Sequence, residues 1–204
     1  MKKPPAKPNS PPRAKPGALR IIAGAWRGRG IEVPPGKVIR PTSDRVREAL
    51  FNRLAHAFTA EGFRLGGTRV VDVFAGTGAL GLEALSRGAA QAVFLDRNPE
   101  AVALIKRNVA KLSAEDRATI MNADGANLPR AATPCDLAFL DPPYGEGLIE
   151  PALLSLARQA WLKPGALVTA ETDAEEPAPA ASGFLLLDRR VYGRVAISIL
   201  RYTP

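Results

Sequence analysis

The chain has 204 residues, 46% hydrophobic and 24% charged, with a formal net charge of +8. That size and balance fit one globular domain with an appendage. They leave no apolar run near the ~18 residues of a membrane span; a single cysteine (Cys135) rules out an intrachain disulfide, and with a single histidine (His56) it leaves zinc no ligand set. The charge is uneven. Residues 1–47 hold 12 Lys or Arg against Glu32 and Asp44, whereas the remainder is slightly acidic. Basicity confined to one end points to a polyanion partner, most often nucleic acid. The basic start lacks the apolar stretch of a secretory signal, so a cytoplasmic protein that makes no use of a membrane is expected.

Residues 1–17 are Pro-rich and basic and read as a disordered tail. Short β-like pieces at 19–22 and 30–33, punctuated by glycines, predict a hairpin-like arm. "TSDRVREALFNRLAHAF" predicts a helix with Val46, Ala49, Leu50, Leu54, Ala57 and Phe58 on one face, capped by Thr42, Ser43 or Asp44. From residue 69 the pattern alternates. "RVVDVFA", "QAVFLD", "ATIMNAD", "DLAFLD" and "GALVTAET" read as strands. "GALGLEALSRG", "NPEAVALIKRNVAKL" and "LIEPALLSLARQAWL" read as helices between them, with a further short helix expected after "ATIMNAD". Such alternation means a parallel sheet covered by helices on both faces. "FLLLDRRVYGRVAISIL" carries two strands and no helix, which predicts a terminal hairpin with one antiparallel strand. The expectation is an α/β, doubly wound, Rossmann-like sheet of seven mostly parallel strands. A tail (1–17), a basic arm with its helix (18–60) and a main domain (61–204) would divide the chain.

"VVDVFAGTGALG" sets Gly76, Gly78 and Gly81 in G-x-G-x-x-G spacing after a strand and before a helix, with Asp96 at the end of the next strand. This is the fingerprint of an adenosine-containing cofactor. Asp72, just before the loop, would repel a pyrophosphate at the helix N-terminus. It suits a cofactor that carries positive charge and no phosphate, which favours S-adenosylmethionine over NAD. Asp124, ending the third strand, is expected either at the adenine edge or as a cap.

"DLAFLDPPYGEG" ends a buried strand in Asp141, Pro142, Pro143 and Tyr144. Ligands of doubly wound sheets gather outside the carboxyl ends of strands. A carboxylate and a proline carbonyl can accept both hydrogens of an exocyclic base amine, and the tyrosine face can stack on the base. The tetrapeptide following an F-x-G-x-G loop (Phe74 to Gly78) is similar to the motif of class I S-adenosylmethionine-dependent amino-methyltransferases. Together with "RIIAGAWRGRGIEVP" and "RPTSDRVREALFNRL", it makes residues 19 to about 202 resemble the bacterial 16S rRNA (guanine-N2)-methyltransferase family.

The resemblance implies S-adenosylmethionine as methyl donor and a guanine N2 amine in 16S rRNA, free or in an assembling small subunit, as substrate. It implies Gly76, Gly78 and Asp96 at the cofactor, where Asp72, Phe74 and Asp124 are also expected, and Asp141, Pro142 and Tyr144 at the base. A DNA adenine-N6 methyltransferase and a non-catalytic RNA-binding module are the alternatives; a target-recognition domain has little room in 204 residues. Arg20, Arg27, Arg29, Arg40, Arg45 and Arg47, clustered with Trp26, are expected to grip RNA phosphates and stack on an unpaired base. For Arg45 and Arg47, on the helix, pairing with acids or facing the cofactor pocket is the alternative. A monomer is expected.

Overall fold

The computed structural model describes residues 19–34, 42–56 and 62–204. The expected tail, Arg40 and the boundary near residue 60 lie outside the described residues. Among the described residues no helix is long and apolar enough to cross a membrane.

Helix α1 (Thr42–His56) precedes strand β1 (Arg69–Val73), helix α2 (Ala79–Ser86), β2 (Gln91–Asp96), α3 (Pro99–Leu112), β3 (Ala118–Asn122) and β4 (Cys135–Leu140). Helix α4 (Ile149–Arg158) and strands β5 (Leu162–Asp173), β6 (Phe184–Tyr192) and β7 (Val195–Tyr202) follow. The seven strands form one sheet in the order β3-β2-β1-β4-β5-β7-β6. Pairs from β3 to β5 are parallel, and β7 runs antiparallel to both β5 and β6. This is the expected sheet with its single antiparallel strand. Order reverses between β1 and β4, and ligands of doubly wound sheets gather outside the carboxyl ends of strands at such a reversal.

Side chains alternate along each strand. Val70, Phe94, Leu137 and Phe139 meet α1, α2 and α3 on one face, while Val71, Val93, Ala138 and Leu140 meet α4 on the other. The arm joins the first core through Leu19, Ile21 and Ile31. Cys135 is buried in the second core, and burial pushes its thiol up to about 11, so it is an inert packing residue.

Three boundaries differ from the sequence reading. No short helix follows β3. Residues 123–134 make turns instead, because Pro129 and Pro134 cannot continue a helix. Leu128 anchors the segment, its N–H donating to Ser155 Oγ at 2.9 Å. Helix α4 stops at Arg158, and Trp161 and Leu162 turn into β5, with Ala160 at φ +56°. The buried face of α1 is Val46, Arg47, Leu50, Phe51 and Leu54. Phe51 belongs to it and packs on Phe139 of β4 with ring centroids 5.6 Å apart.

Candidate active site

The glycine loop is built by close packing. Gly78 caps α2 at φ +78°, and a Cβ on Gly81 would lie 2.3 Å from the Phe94 ring, so the helix rests directly on β2. Gly76 and Asp96, joined in the sequence only by their spacing, are bonded here: the Gly76 N–H donates to Asp96 Oδ2 at 2.8 Å. Asn98 N–H donates to Asp96 Oδ1 at 2.8 Å. A carboxylate has about four acceptor positions, so Asp96 keeps capacity for a pair of ribose hydroxyls.

Asp72 is buried, and its Oδ2 accepts the Gly81 N–H at 2.9 Å. Oδ1 has no hydrogen-bond partner among the described residues. Burial raises its carboxyl to about 8, against the Gly81 bond and with a smaller push from Asp96. An underbonded buried acid with this proton affinity is what a cationic group would discharge. These residues fit an adenosine cofactor bearing an ammonium and a sulfonium.

Phe74 adopts φ +64°, a left-handed conformation costly for a bulky residue. Its ring lies against Gly125, where a Cβ would sit 2.5 Å from Phe74 Cζ. That contact ties the glycine loop to the turn leaving β3. In that turn Asp124 Oδ1 accepts the Ala126 N–H at 3.1 Å. The cap expected of Asp124 therefore takes the form of a side-chain-closed turn, without a helix. The residue is exposed, and its second carboxyl oxygen has no partner among the described residues.

Asp141 follows β4 and shares the face of Asp72 by strand alternation, since Asp72 is level with Phe139 two residues before it. It accepts no hydrogen bond among the described residues. Water reaches the residue, yet protein surrounds its carboxyl closely enough that desolvation is the largest influence. The charges of Glu171 and then Asp72 add to it and hold Asp141 well above the usual carboxylate range. Pro142 is buried and Tyr144 is 41% exposed.

The sequence reading missed Glu171. The Tyr144 hydroxyl donates to Glu171 Oε1 at 2.5 Å. Burial raises the Glu171 carboxyl while the Tyr144 bond opposes the rise, and the tyrosine is in turn held above the ordinary phenol range. No motif marks Glu171. The available signal was its place: an acid at the carboxyl end of the strand beside β4.

The arm divides the predicted arginines. Its strands touch through the bridge Arg20↔Gly30, with the Ile21 N–H donating to Arg29 O at 2.9 Å and the Ile31 N–H to Leu19 O at 2.8 Å. The turn docks on α2, where a Cβ on Gly24 would fall 1.9 Å from Ser86 O. Arg47 is 6% exposed, donates to Arg20 O and Asp44 Oδ1, and lies 3.9 Å from Glu83. It is an internal strut. Trp26 packs on the core with the Arg117 guanidinium 4.9 Å from its ring centroid, so one face is already covered. Arg29 donates to the Lys111 carbonyl at the end of α3. Arg20 pairs with Asp44 at 3.4 Å. Arg27 and Arg45 are exposed, with no partner among the described residues.

Two further residues fasten the arm. Glu83, fully buried in α2, accepts the N–H groups of Ile22 (2.7 Å) and Ala23 (3.0 Å) and the Arg87 guanidinium (2.7 Å). Asn108 of α3 donates to Thr77 O in the glycine loop and to Glu32 O, and accepts the Glu32 N–H. The arm is thus joined to the loop that would hold the cofactor. Among the described residues no acid, histidine or cysteine cluster suits a metal ion.

Over 182 residues the chain is 39% identical to ribosomal RNA small subunit methyltransferase D of Escherichia coli, covering 88% of each chain. The solved structure of the E. coli yhhF protein superposes with a TM-score of 0.78 at 35% identity, over 92% of this chain and 99% of that one. The [4+2]-cyclase SpnF shares the fold (TM-score 0.61 over 79% of this chain and 82% of that one) at 16% identity. A cyclase on the same scaffold means that the fold by itself names no reaction. The family model described as conserved hypothetical protein 95 matches residues 19–201. The kinship read from the motifs is borne out: the chain belongs to that family, and ribosomal RNA small subunit methyltransferase D is among its relatives.

Proposed function

We propose that this protein transfers a methyl group from S-adenosylmethionine to the exocyclic N2 amine of a guanine in 16S ribosomal RNA. The observation that carries the reading is Asp141: a carboxyl without a hydrogen-bond partner among the described residues, followed by Pro-Pro-Tyr, on the sheet face that Asp72 shares. The relatives named for small-subunit rRNA methylation support the polymer, and the basic arm supports an anionic partner.

Bound against Asp72, the glycine loop and Asp96, S-adenosylmethionine supplies a methyl group already activated on a sulfonium. The chain's part is to aim the acceptor. Asp141 and the Pro142 carbonyl accept the two amine hydrogens and fix the nitrogen, whose lone pair is otherwise delocalised into the ring. Tyr144 stacks on the base. Forming the N–C bond would break the methyl–sulfur bond and leave S-adenosylhomocysteine, and the nitrogen must lose a proton. Asp141, in its ionised form, lies within reach of it in this pose and can take that proton and pass it to water. In this reading residues 18–60 bind RNA and residues 61–204 form the catalytic domain.

The test is Asp141→Ala. Methyl transfer to small-subunit rRNA should fall by about 10²–10³-fold or more, the scale of a lost transition-state contact, while calorimetric S-adenosylmethionine affinity holds. In the wild type, the label should map to guanine N2. Wild-type turnover by the variant, or label on adenine, would overturn the assignment.

A further inference from the structure

Glu171 lies one strand beyond Asp141. The registers Phe139↔Thr169 and Leu140↔Ala170 run β4 and β5 in step, so two residues past Phe139 and Thr169 the side chains of Asp141 and Glu171 emerge side by side on one face. Adjacent strands are about 4.8 Å apart. Ring N1 and the exocyclic nitrogen of a purine are nearest neighbours on its Watson–Crick edge, separated by roughly half that spacing, so two side chains converging from neighbouring strands can serve both. Glu171 Oε1 accepts the hydroxyl of Tyr144, the ring proposed to stack on the base. Oε2 has no partner among the described residues.

The groups at this edge are mainly acceptors. Asp141 and Glu171 offer carboxyl oxygens, Pro142 offers a carbonyl and no N–H, and the Tyr144 hydroxyl hydrogen is committed to Glu171. A guanine presents N1–H beside its N2 amine, two neighbouring donors. Adenine and cytosine present an amine beside a bare ring nitrogen, whose lone pair would face the carboxylate.

We propose that Glu171 is a specificity-determining residue, which accepts the N1–H of the target guanine while Asp141 holds the neighbouring N2 amine. This rests on the guanine-N2 reading above and deepens it. The Tyr144 bond would then serve the same end, fixing the carboxyl in the plane of the base edge while leaving Oε2 to the ligand. A site that pairs with a donor rejects the analogue lacking it far more strongly than an apolar pocket rejects a methylene.

The discriminating substrate is an rRNA segment carrying 2,6-diaminopurine at the one position that the wild type methylates. Diaminopurine keeps the N2 amine but has a bare N1. Wild-type kcat/KM should drop by about 100-fold or more on this RNA relative to guanosine RNA. In Glu171→Gln the amide can donate to the bare nitrogen, so the guanine-to-diaminopurine ratio should shrink at least tenfold, with S-adenosylmethionine affinity unchanged. Comparing ratios between enzymes cancels the change at C6, which is common to both. A wild type that uses both RNAs equally, or a folded Glu171→Gln protein with the wild-type ratio, would overturn the role of Glu171 and leave the guanine reading standing. A wild type that puts no methyl on guanine N2 would overturn both. The wild-type comparison needs no variant, so equal use of the two RNAs overturns the proposal even if the substitution impairs folding.

Discussion

Asp72 shows how one residue can trade stability for binding. Its carboxyl is raised to about 8 by burial, whereas an unfolded aspartate titrates near 3.9. Between these values the native apoprotein holds a proton that the unfolded chain has released. Its contribution to stability is therefore fully present below the unfolded value and is lost as pH rises through the folded one. Asp72→Asn removes that loss. The apoprotein should gain at least about 1 kcal/mol at pH 8, since a tenfold difference in proton affinity between the two states corresponds to about 1.4 kcal/mol. Its unfolding free energy should slope less between pH 5 and 8 in denaturant titrations. S-adenosylmethionine should bind the variant more weakly, and wild-type affinity should rise with pH across the same window. An identical pH slope in both proteins would contradict this account. Asp72, Gly76 and Asp96 were legible in the sequence because a strand, a tight turn and a helix fix their spacing. Glu171 was not, because its meaning comes from Tyr144, 27 positions away, across a strand pairing that no local pattern encodes.

At the scale of elements, the arm and α1 are held to α2 by a buried ionic knot. Glu83 satisfies two backbone N–H groups and Arg87, with Arg47 close by; burial pulls Arg47 below the ordinary guanidinium range against the pull of Asp44 and Glu83. Removing one partner of such a knot strands the others. Glu83→Ala should cost about 3–5 kcal/mol in chemical denaturation, although it touches no proposed substrate contact. A loss under 1 kcal/mol would mean that water replaces the carboxylate. The sequence held a readable hint. Arg47 falls three and four residues before Leu50 and Phe51, on the apolar face of its helix, and Glu83 interrupts an otherwise apolar helix. Read along the chain, Arg47 belonged to a basic cluster; read around the helix, it belongs to the core. The helix expected after β3 failed for a simpler reason, since the two prolines that forbid it stand in the segment itself.

For the whole molecule, the doubly wound sheet of seven mostly parallel strands was legible because alternating strands and helices have few right-handed solutions. The division of labour among the arginines was not, because it depends on what the arm packs against. Arg27 and Arg45 are the exposed members without partners among the described residues. Replacing both with alanine should weaken RNA binding and lower its salt slope by about one to two units, with S-adenosylmethionine affinity and thermal stability unchanged. Retention of the full slope would move the RNA contact elsewhere. The place of β7 has a consequence for how the protein comes into being. β5 carries Glu171, yet its outer neighbour is β7, which emerges from synthesis only after β6 has been made and has passed outward to the sheet margin. Until then β5 offers an unpaired edge to any passing strand. The nascent protein therefore stays both inactive and sticky until this hairpin folds back, and enzyme competence arrives with the closing of the sheet.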